Sequence, residues 1–516
     1  MNKTKHIIVS LLALAISTAT LAQAVGEKFK FQTNYYLVTS LDPPTVAVTC
    51  QYSGYPSYWD YSEEPYGEVV IRSSVTYKNT VFTVTAIGNY AFHGCSRITS
   101  ILIPESVISF GFCSFKNCSS LISINIPDSL TFLGSYTFGN CTSLTSIVIP
   151  DKVTFIGSYT FFQCYNLTSV VIPESVKSID EAAFGYCVSL TSITLPESVT
   201  TLKEFAFAHC FNLTSINIPE SVVSIGNHAF RLSESLTSIT IPKSVTSIGM
   251  GAFAFSGLTS VDFQASITTV TDYAFAGCKS LTSITIPETV KAIGIEAFCQ
   301  CSNLKYVTIP ESVTTIRNYA FSDCTSLVSV NFPESIKSIA DEVFYGCSSL
   351  KSITIPASIK SIGNLAFYNC SGLTSITSYV TDPSSVILKR DVFYGVPKGT
   401  EPNACVLNVP EGSITLYENA NQWQDFFPNI FVGVEDTPQT SIVIYPNPAS
   451  DLLNIKSDTP IYGFELYDAL GRLVLNKTEM FNNESVIDVS SLTRGLYFIK
   501  LHTINSVAEH KVLIEN

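Results

Sequence analysis

Eleven of the fifteen cysteines, Cys95, Cys118, Cys141, Cys164, Cys187, Cys210, Cys278, Cys301, Cys324, Cys347 and Cys370, fall into one register. Thiols in such a row could bridge in pairs, hold a metal or lie buried. Equivalent positions on stacked units would sit about 5 Å apart with parallel Cα–Cβ vectors, whereas a disulfide needs convergence, so a ladder of small buried thiols is expected. No C-x-x-C pair or histidine completes a ligand set, and Cys299-Gln300-Cys301 alone is too little for a metal. A second row is acidic: Glu105, Asp128, Asp151, Glu174, Glu197 and Glu220, then Lys243 and Ala265, then Glu288, Glu311 and Glu334. Like charges about 5 Å apart in water repel by roughly 0.8 kcal/mol, which Ca²⁺ could relieve. A single row offers too few convergent oxygens for that ion, and the acids read as solvated turn residues. Beyond residue 24 the histidines are His93, His209, His228, His502 and His510, none of them in H-E-x-x-H or beside a G-x-S-x-G elbow. No catalytic residue, no metal and no cofactor is expected, and the chain does not read as an enzyme.

What must position these rows is a repeat. Pro104, Pro127, Pro150, Pro173, Pro196, Pro219 and Pro242 recur every 23 residues, and the series resumes at Pro287, Pro310, Pro333 and Pro356 after one deleted residue near Phe255. Each unit reads approximately I-G-x-x-A-F-x-x-C-x-S-L-T-S-I-x-I-P-E-S-V-x-S, from Ile156 through Cys164, Leu167 and Pro173 to Val176 and Ser178. A unit this short cannot enclose a core, so stacked neighbours must supply it. Leu167-x-x-Val170-x-Ile172 has the L-x-x-L-x-L spacing of a short strand with apolar residues inward, and the following proline, lacking a donor, ends it. Stacking then builds a parallel sheet along one face, with Val176-x-x-Ile179 as a second short strand or corner.

The outward position of that strand reads Leu102, Asn125, Val148, Val171, Thr194, Asn217, Thr240, Asp262, Thr285, Thr308, Asn331 and Thr354, flanked by a serine row that Tyr306 interrupts. Hydroxyls, amides and a few aliphatics with almost no charge suit a protein surface better than a phosphate, so this is the expected ligand face. Ser and Thr are also simply good strand surface. A second candidate is an aromatic loop holding Tyr55, Tyr58, Trp59 and Tyr61, whose amphipathic rings could anchor a partner or pack the solenoid's end.

The units resemble the BspA-like leucine-rich repeats, which share the A-F-x-x-C, S-L-T-S-I and I-P-x-S-V signatures. The likeness runs from about Ile87 to Gly433 and includes a closing segment, Tyr417-x-x-Ala420-x-x-Trp423. It implies adhesion through the repeat face. Residues 25–86, with alternating stretches such as Thr45-Val46-Ala47-Val48-Thr49, are expected to form a β-rich N-terminal cap.

Residues 1–24 carry Lys3 and Lys5, an apolar stretch from Ile7 to Ile16 and the small residues before Ala24, the layout of a cleaved export signal, and too short to span a bilayer. Its removal leaves 27 basic against 42 acidic residues, a net charge of −15 compared with −13 for the whole chain. That acidity excludes nucleic acid as an expected partner, and no transmembrane segment is expected. With 46% hydrophobic and 14% charged residues the chain must fold.

After Gly433 the periodicity stops, and short alternating segments separated by Pro, Asn, Asp and Gly predict a small β-sandwich over 434–516. Tyr445-Pro446-Asn447-Pro448, Leu466-Tyr467-Asp468-Ala469-Leu470-Gly471-Arg472 and Leu492-x-x-Gly495-Leu496-Tyr497 resemble the C-terminal sorting domain of type IX secretion cargo. This resemblance implies passage across an outer membrane, with the type IX machinery as one partner. The expected whole is a β-rich leucine-rich-repeat solenoid of 23-residue coils followed by a small β-sandwich, with a signal peptide at 1–24, the cap at 25–86, repeats at 87–433 and the sorting domain at 434–516. Its expected role is adhesion to a protein or glycoprotein ligand, from a secreted or surface-attached position reached through the periplasm. The alternative is a structural surface-layer protein without a specific ligand.

Overall fold

The computed structural model of the chain describes residues 24–52, 58–60, 62–434, 442–445, 449, 451–468, 472–503 and 507–514. The chain forms two compact units, the first running to Thr282 and taking in Pro287–Ser302, the second comprising Ser283–Ile286 and Asn303–Asn516.

In the first unit, Lys28–Phe31, Asn34–Leu41 and Pro44–Thr49 form an antiparallel meander, and Thr80–Ile87 joins it in parallel. The sheet continues into Ser109–Phe110 and Phe132–Leu133, so no open edge is left at its junction with the coils. Gly67–Val70 likewise adds to the face sheet beside Ile98–Leu102. Each coil then has the strand pattern expected of its sequence. Ser146–Val148 pairs in parallel with Ser169–Val171, its Ile147 buried and the residues on either side exposed. The S-I pairs build a lateral sheet through Ser178–Ile179, Thr201–Leu202, Ser224–Ile225 and Ser247–Ile248. Serines that follow a turn acid tie one coil to the previous one: Ser129, Ser175 and Ser221 donate to Val107, Val153 and Val199 carbonyls at 2.6–2.7 Å.

The A-F phenylalanines form one stacked column, Phe92, Phe115, Phe138, Phe161, Phe184, Phe207, Phe230, Phe253, Phe275 and Phe298, with centroids 5.3–5.6 Å apart. Near-parallel rings at that spacing contribute roughly 0.5–1.5 kcal/mol per pair beyond burial. Two residues per coil flank the column in the left-handed region, usually without glycine: Tyr136 and Asn140, Tyr159 and Gln163, Phe205 and His209, all with φ of 57–61° except Phe205 at 56°. Such a conformation costs roughly 1–2 kcal/mol for an L-residue. The inter-coil amide bonds offset it, as in Tyr136 N to Ser158 O and Phe138 N to Thr160 O, both 2.9 Å.

The cysteine row closes each coil as a donor. Cys118, Cys141, Cys164, Cys187 and Cys210 give their S–H to the carbonyls of Phe92, Phe115, Phe138, Phe161 and Phe184 at 3.1–3.2 Å. Where the row lacks cysteine, Ser233 makes the same bond to Phe207 O at 3.3 Å. All fifteen thiols are free and buried. Burial pushes those of Cys164 and Cys210 up to about 12, so they remain protonated donors.

The second unit has a phenylalanine column of its own, Phe321, Phe344, Phe367 and Phe393, and Trp423 and Phe426 close its end. The Tyr417 hydroxyl donates to Val380 O at 2.8 Å, pinning the short helix Ile414–Glu418 over the last coil. The face sheet here is one seven-stranded parallel ladder from Ser283–Thr285 to Ile430–Val434. The C-terminal β domain has its own core around Leu453, Ile455, Phe464, Leu466, Ile499, Leu501 and Val512. Its short sequence segments merge into five antiparallel strands, because Leu452–Asp468 and Leu473–Asp488 run on through register irregularities around Ile461. An irregularity bends a strand without ending it.

Candidate ligand-binding face

On the face strands the pleat sends alternate residues to solvent. In the first unit Leu102, Asn125, Val148, Val171, Thr194, Asn217, Thr240 and Asp262 are all exposed, as are Ser146, Ser169, Ser192, Ser215, Ser238 and Ser260 beside them. Val148 is 64% and Val171 56% accessible, and Val70, Leu102 and Ile122 are exposed aliphatics on coils nearer the N-terminal end. Asp262 is the one charge in the outward row, and its carboxylate accepts from Gln264 Nε2 at 3.0 Å.

Two of the face residues have a different occupation. The Asn125 side chain accepts from Ile103 N at 2.8 Å and donates to Ile103 O at 2.9 Å; Asn217 does the same to Leu195, at 3.0 and 3.1 Å. Both sit where the strands shrink to two residues, Ser123–Ile124 and Ser215–Ile216. Their amides replace the missing main-chain rungs, so they hold the coil and have little left for a ligand.

In the second unit Thr285 is exposed, whereas Tyr306, Thr308, Asn331 and Thr354 are half-buried. Among the described residues no three His, Cys, Asp or Glu side chains converge as a metal site would need.

Of the aromatic loop, Tyr55 and Tyr61 lie outside the described residues. Trp59 is only 6% accessible; it donates from Nε1 to Ala91 O at 3.0 Å and lies over Phe92, capping the phenylalanine column. Tyr58 stacks on Tyr90 at 4.6 Å. That pair begins a feature not anticipated from the sequence, a half-exposed aromatic edge through Phe112, Tyr136, Tyr159, Phe162, Tyr186 and His209. Lys116 lies 4.3 Å over the Tyr136 ring, and burial holds His209 below the ordinary imidazole range. The recurrence of rings two positions before the A-F phenylalanine, at Tyr90, Tyr136, Tyr159 and Phe205, was the signal available in the sequence. Because the rings largely face one another, the edge is mainly self-satisfied packing.

In the C-terminal domain, Tyr445 ends the strand Ile442–Tyr445 and Gly495 opens Gly495–Thr503, while Pro446, Asn447, Pro448 and Gly471 lie outside the described residues. The described parts of the motifs are structural. Arg472 closes on Asp468, its N and Nε donating to the carboxylate at 3.0 and 2.7 Å, and the Tyr497 hydroxyl donates to Thr493 O at 2.9 Å.

Residues 72–187, 154–282 and 268–397 match the BspA type leucine rich repeat region. The chain belongs to this family. Residues 443–515 match the secretion system C-terminal sorting domain, so this BspA-type protein is type IX cargo, exported to the outer cell surface or released beyond it. A leucine-rich repeat protein from Bacteroides ovatus is 30% identical, with 68% of this chain and 94% of that one covered and a TM-score of 0.55. A leucine rich cell surface protein from Faecalibacterium prausnitzii is 27% identical over 71% of this chain and 97% of its own, with a TM-score of 0.45. No curated protein matches. Among the described residues no helix is long and apolar enough to cross a membrane.

Proposed function

We propose that this BspA-type protein is a non-catalytic adhesin that binds a protein or glycoprotein of a host, matrix or neighbouring cell through its repeat face. The observation that carries the reading is the exposed stretch from Val148 through Val171 and Thr194 to Thr240, which joins aliphatic surface to uncharged hydroxyls and bears no acid. Apolar area ringed by neutral donors and acceptors is what a protein partner can cover without stranding a charge. We retain the layout of a signal at 1–24, a cap at 25–86, repeats at 87–433 and a sorting domain at 434–516 as part of this proposal.

The test is binding of the purified chain to an immobilised panel of matrix proteins, cell-surface glycoproteins and glycans, beside a Thr194→Arg/Thr240→Arg variant. These threonines are chosen over Asn217 because their side chains do not bridge coils through an amide. Saturable binding that the double variant loses by tenfold or more supports the reading. Binding that it keeps moves the site elsewhere, and self-association without any binding favours a structural surface role.

A further inference from the structure

Along the serine row of the second unit, accessibility falls where the C-terminal domain approaches. Ser283, Ser352 and Ser375 are half-buried and Ser329 is 8% accessible, while Ser146, Ser169, Ser192, Ser215, Ser238 and Ser260 of the first unit are exposed. The cover over Ser329 is Tyr462, which lies in the bent segment of Leu452–Asp468 next to the register irregularity at Ile461. Its ring lies 5.4 Å from that of Tyr306 at an interplanar angle of 32°, and its hydroxyl is 3.5 Å from Ser329 Oγ. Tyr306 is the one aromatic residue in the serine and outward rows, so the domain has placed a tyrosine against the single ring the face offers. Burial pushes the Tyr462 phenol up to about 12. Beyond the ring contact the two surfaces separate around a cavity, with Thr285 and Thr308 on the face side and Lys477 and His502 on the other. A 3.5 Å hydroxyl contact is the outer limit of a hydrogen bond, and a tilted ring pair at 5.4 Å is an interaction that a competing ring can displace.

We propose that Tyr462 is a built-in competitor for the repeat face: it fills an aromatic docking point made by Tyr306 and Ser329, and an external partner occupies that point with a tyrosine or similar ring carried on an extended protein segment. This rests on the reading of the face as the binding surface. While Tyr462 is docked, the second unit contributes little to adhesion, and displacement of the domain recruits Tyr306 as an additional anchor.

The experiment uses the full chain with Tyr462→Ala and Tyr462→Phe. Hydroxyl-radical footprinting reads the accessibility of Tyr306 without any ligand, and oxidation of Tyr497 in the core of the C-terminal domain checks that this domain stays folded. Tyr306 oxidation is expected to rise about threefold or more in Tyr462→Ala and to stay near the wild-type level in Tyr462→Phe, which keeps the ring. Binding to whichever panel member the wild type recognises should tighten by about threefold to tenfold in the alanine variant, in proportion to one lost ring pair. Equal Tyr306 oxidation in the wild type and Tyr462→Ala overturns the proposal, because the contact then does not form in solution. Increased oxidation without tighter binding overturns it too, since the domain then covers the patch without competing. If no panel member binds any form, the adhesion reading fails, while footprinting alone still shows whether Tyr462 occupies the patch.

Discussion

The two units carry one repeat sequence yet build their faces differently. In the first, the face sheet is a series of short ladders, Ser146–Val148 with Ser169–Val171, Ser192–Ile193 with Ser215–Ile216, and Ser238–Ile241 with Ser260–Phe263, and its outward residues are open to solvent. In the second, seven strands form one uninterrupted ladder, and its outward residues from Tyr306 to Thr354 are half-buried. The phenylalanine columns beneath them are alike. Coil stacking therefore does not depend on a complete face ladder: the column and the corner amides suffice, and the face is left free to vary.

If that is right, core damage should be equal in the two units. Phe184→Ala and Phe344→Ala each remove a fully buried ring and should each cost about 3–5 kcal/mol, read from urea unfolding of the purified chain. A much smaller loss in one unit would break the comparison. Face damage should be unequal: Asn217→Ala strips the two amide bonds to Leu195 and should cost about 1–2 kcal/mol, whereas Asn331→Ala, beside main-chain pairing of Val330 with Ile353, should cost under half of that. Hydrogen exchange at Leu195 and at Ile353 distinguishes the two.

The thiol row should again treat the units alike. Cys164 and Cys370 are both pushed up to about 12 by burial, above roughly 8.5 for an unfolded cysteine, so their contribution is complete below pH 8.5 and is lost as pH rises toward 12. Far-ultraviolet dichroism followed from pH 8 to pH 11 should show both units loosening over one range, and Cys164→Ser, which copies Ser233, should be better tolerated than Cys164→Ala by about 1 kcal/mol. The smallest expected effect is favourable. Gln300, at φ 60° and exposed, should stabilise the chain by about 0.5–1 kcal/mol when replaced by glycine, measured as a shift in the thermal midpoint.

Much of this architecture was legible in the sequence because it repeats. The constant proline interval placed the strand ends, and the alternation around Val170 and Val171 separated inside from outside. Less legible was anything that depends on which carbonyl lies next to a side chain. The cysteines read as inert filler, and only the folded chain shows them as donors to phenylalanine carbonyls, although Ser233 at the same phase hinted at a hydrogen bond. Asn125 and Asn217 looked like surface choices equivalent to Thr194; the difference is a local shortening of the strand that no single unit reveals. For Trp59 the sequence left a partner anchor and packing of the solenoid's end both open, and the fold puts it in the second role, over Phe92 at the end of the phenylalanine column. The contact of Tyr462 with Tyr306 joins residues over 150 positions apart and left no periodic trace.

The fifteen free thiols carry a consequence for biogenesis. Type IX cargo passes through an oxidising compartment, where an unfolded chain with so many cysteines could pair wrongly in a great many ways, and no native bridge exists to which reshuffling could return it. Coil formation involves contacts only between neighbours and can spread from any nucleus, whereas uncatalysed disulfide formation takes seconds or longer. Protection of the cysteines is therefore a race that a locally wired fold is built to win, and any change that slows propagation along the stack should first appear as covalent aggregates and only later as a lower melting point.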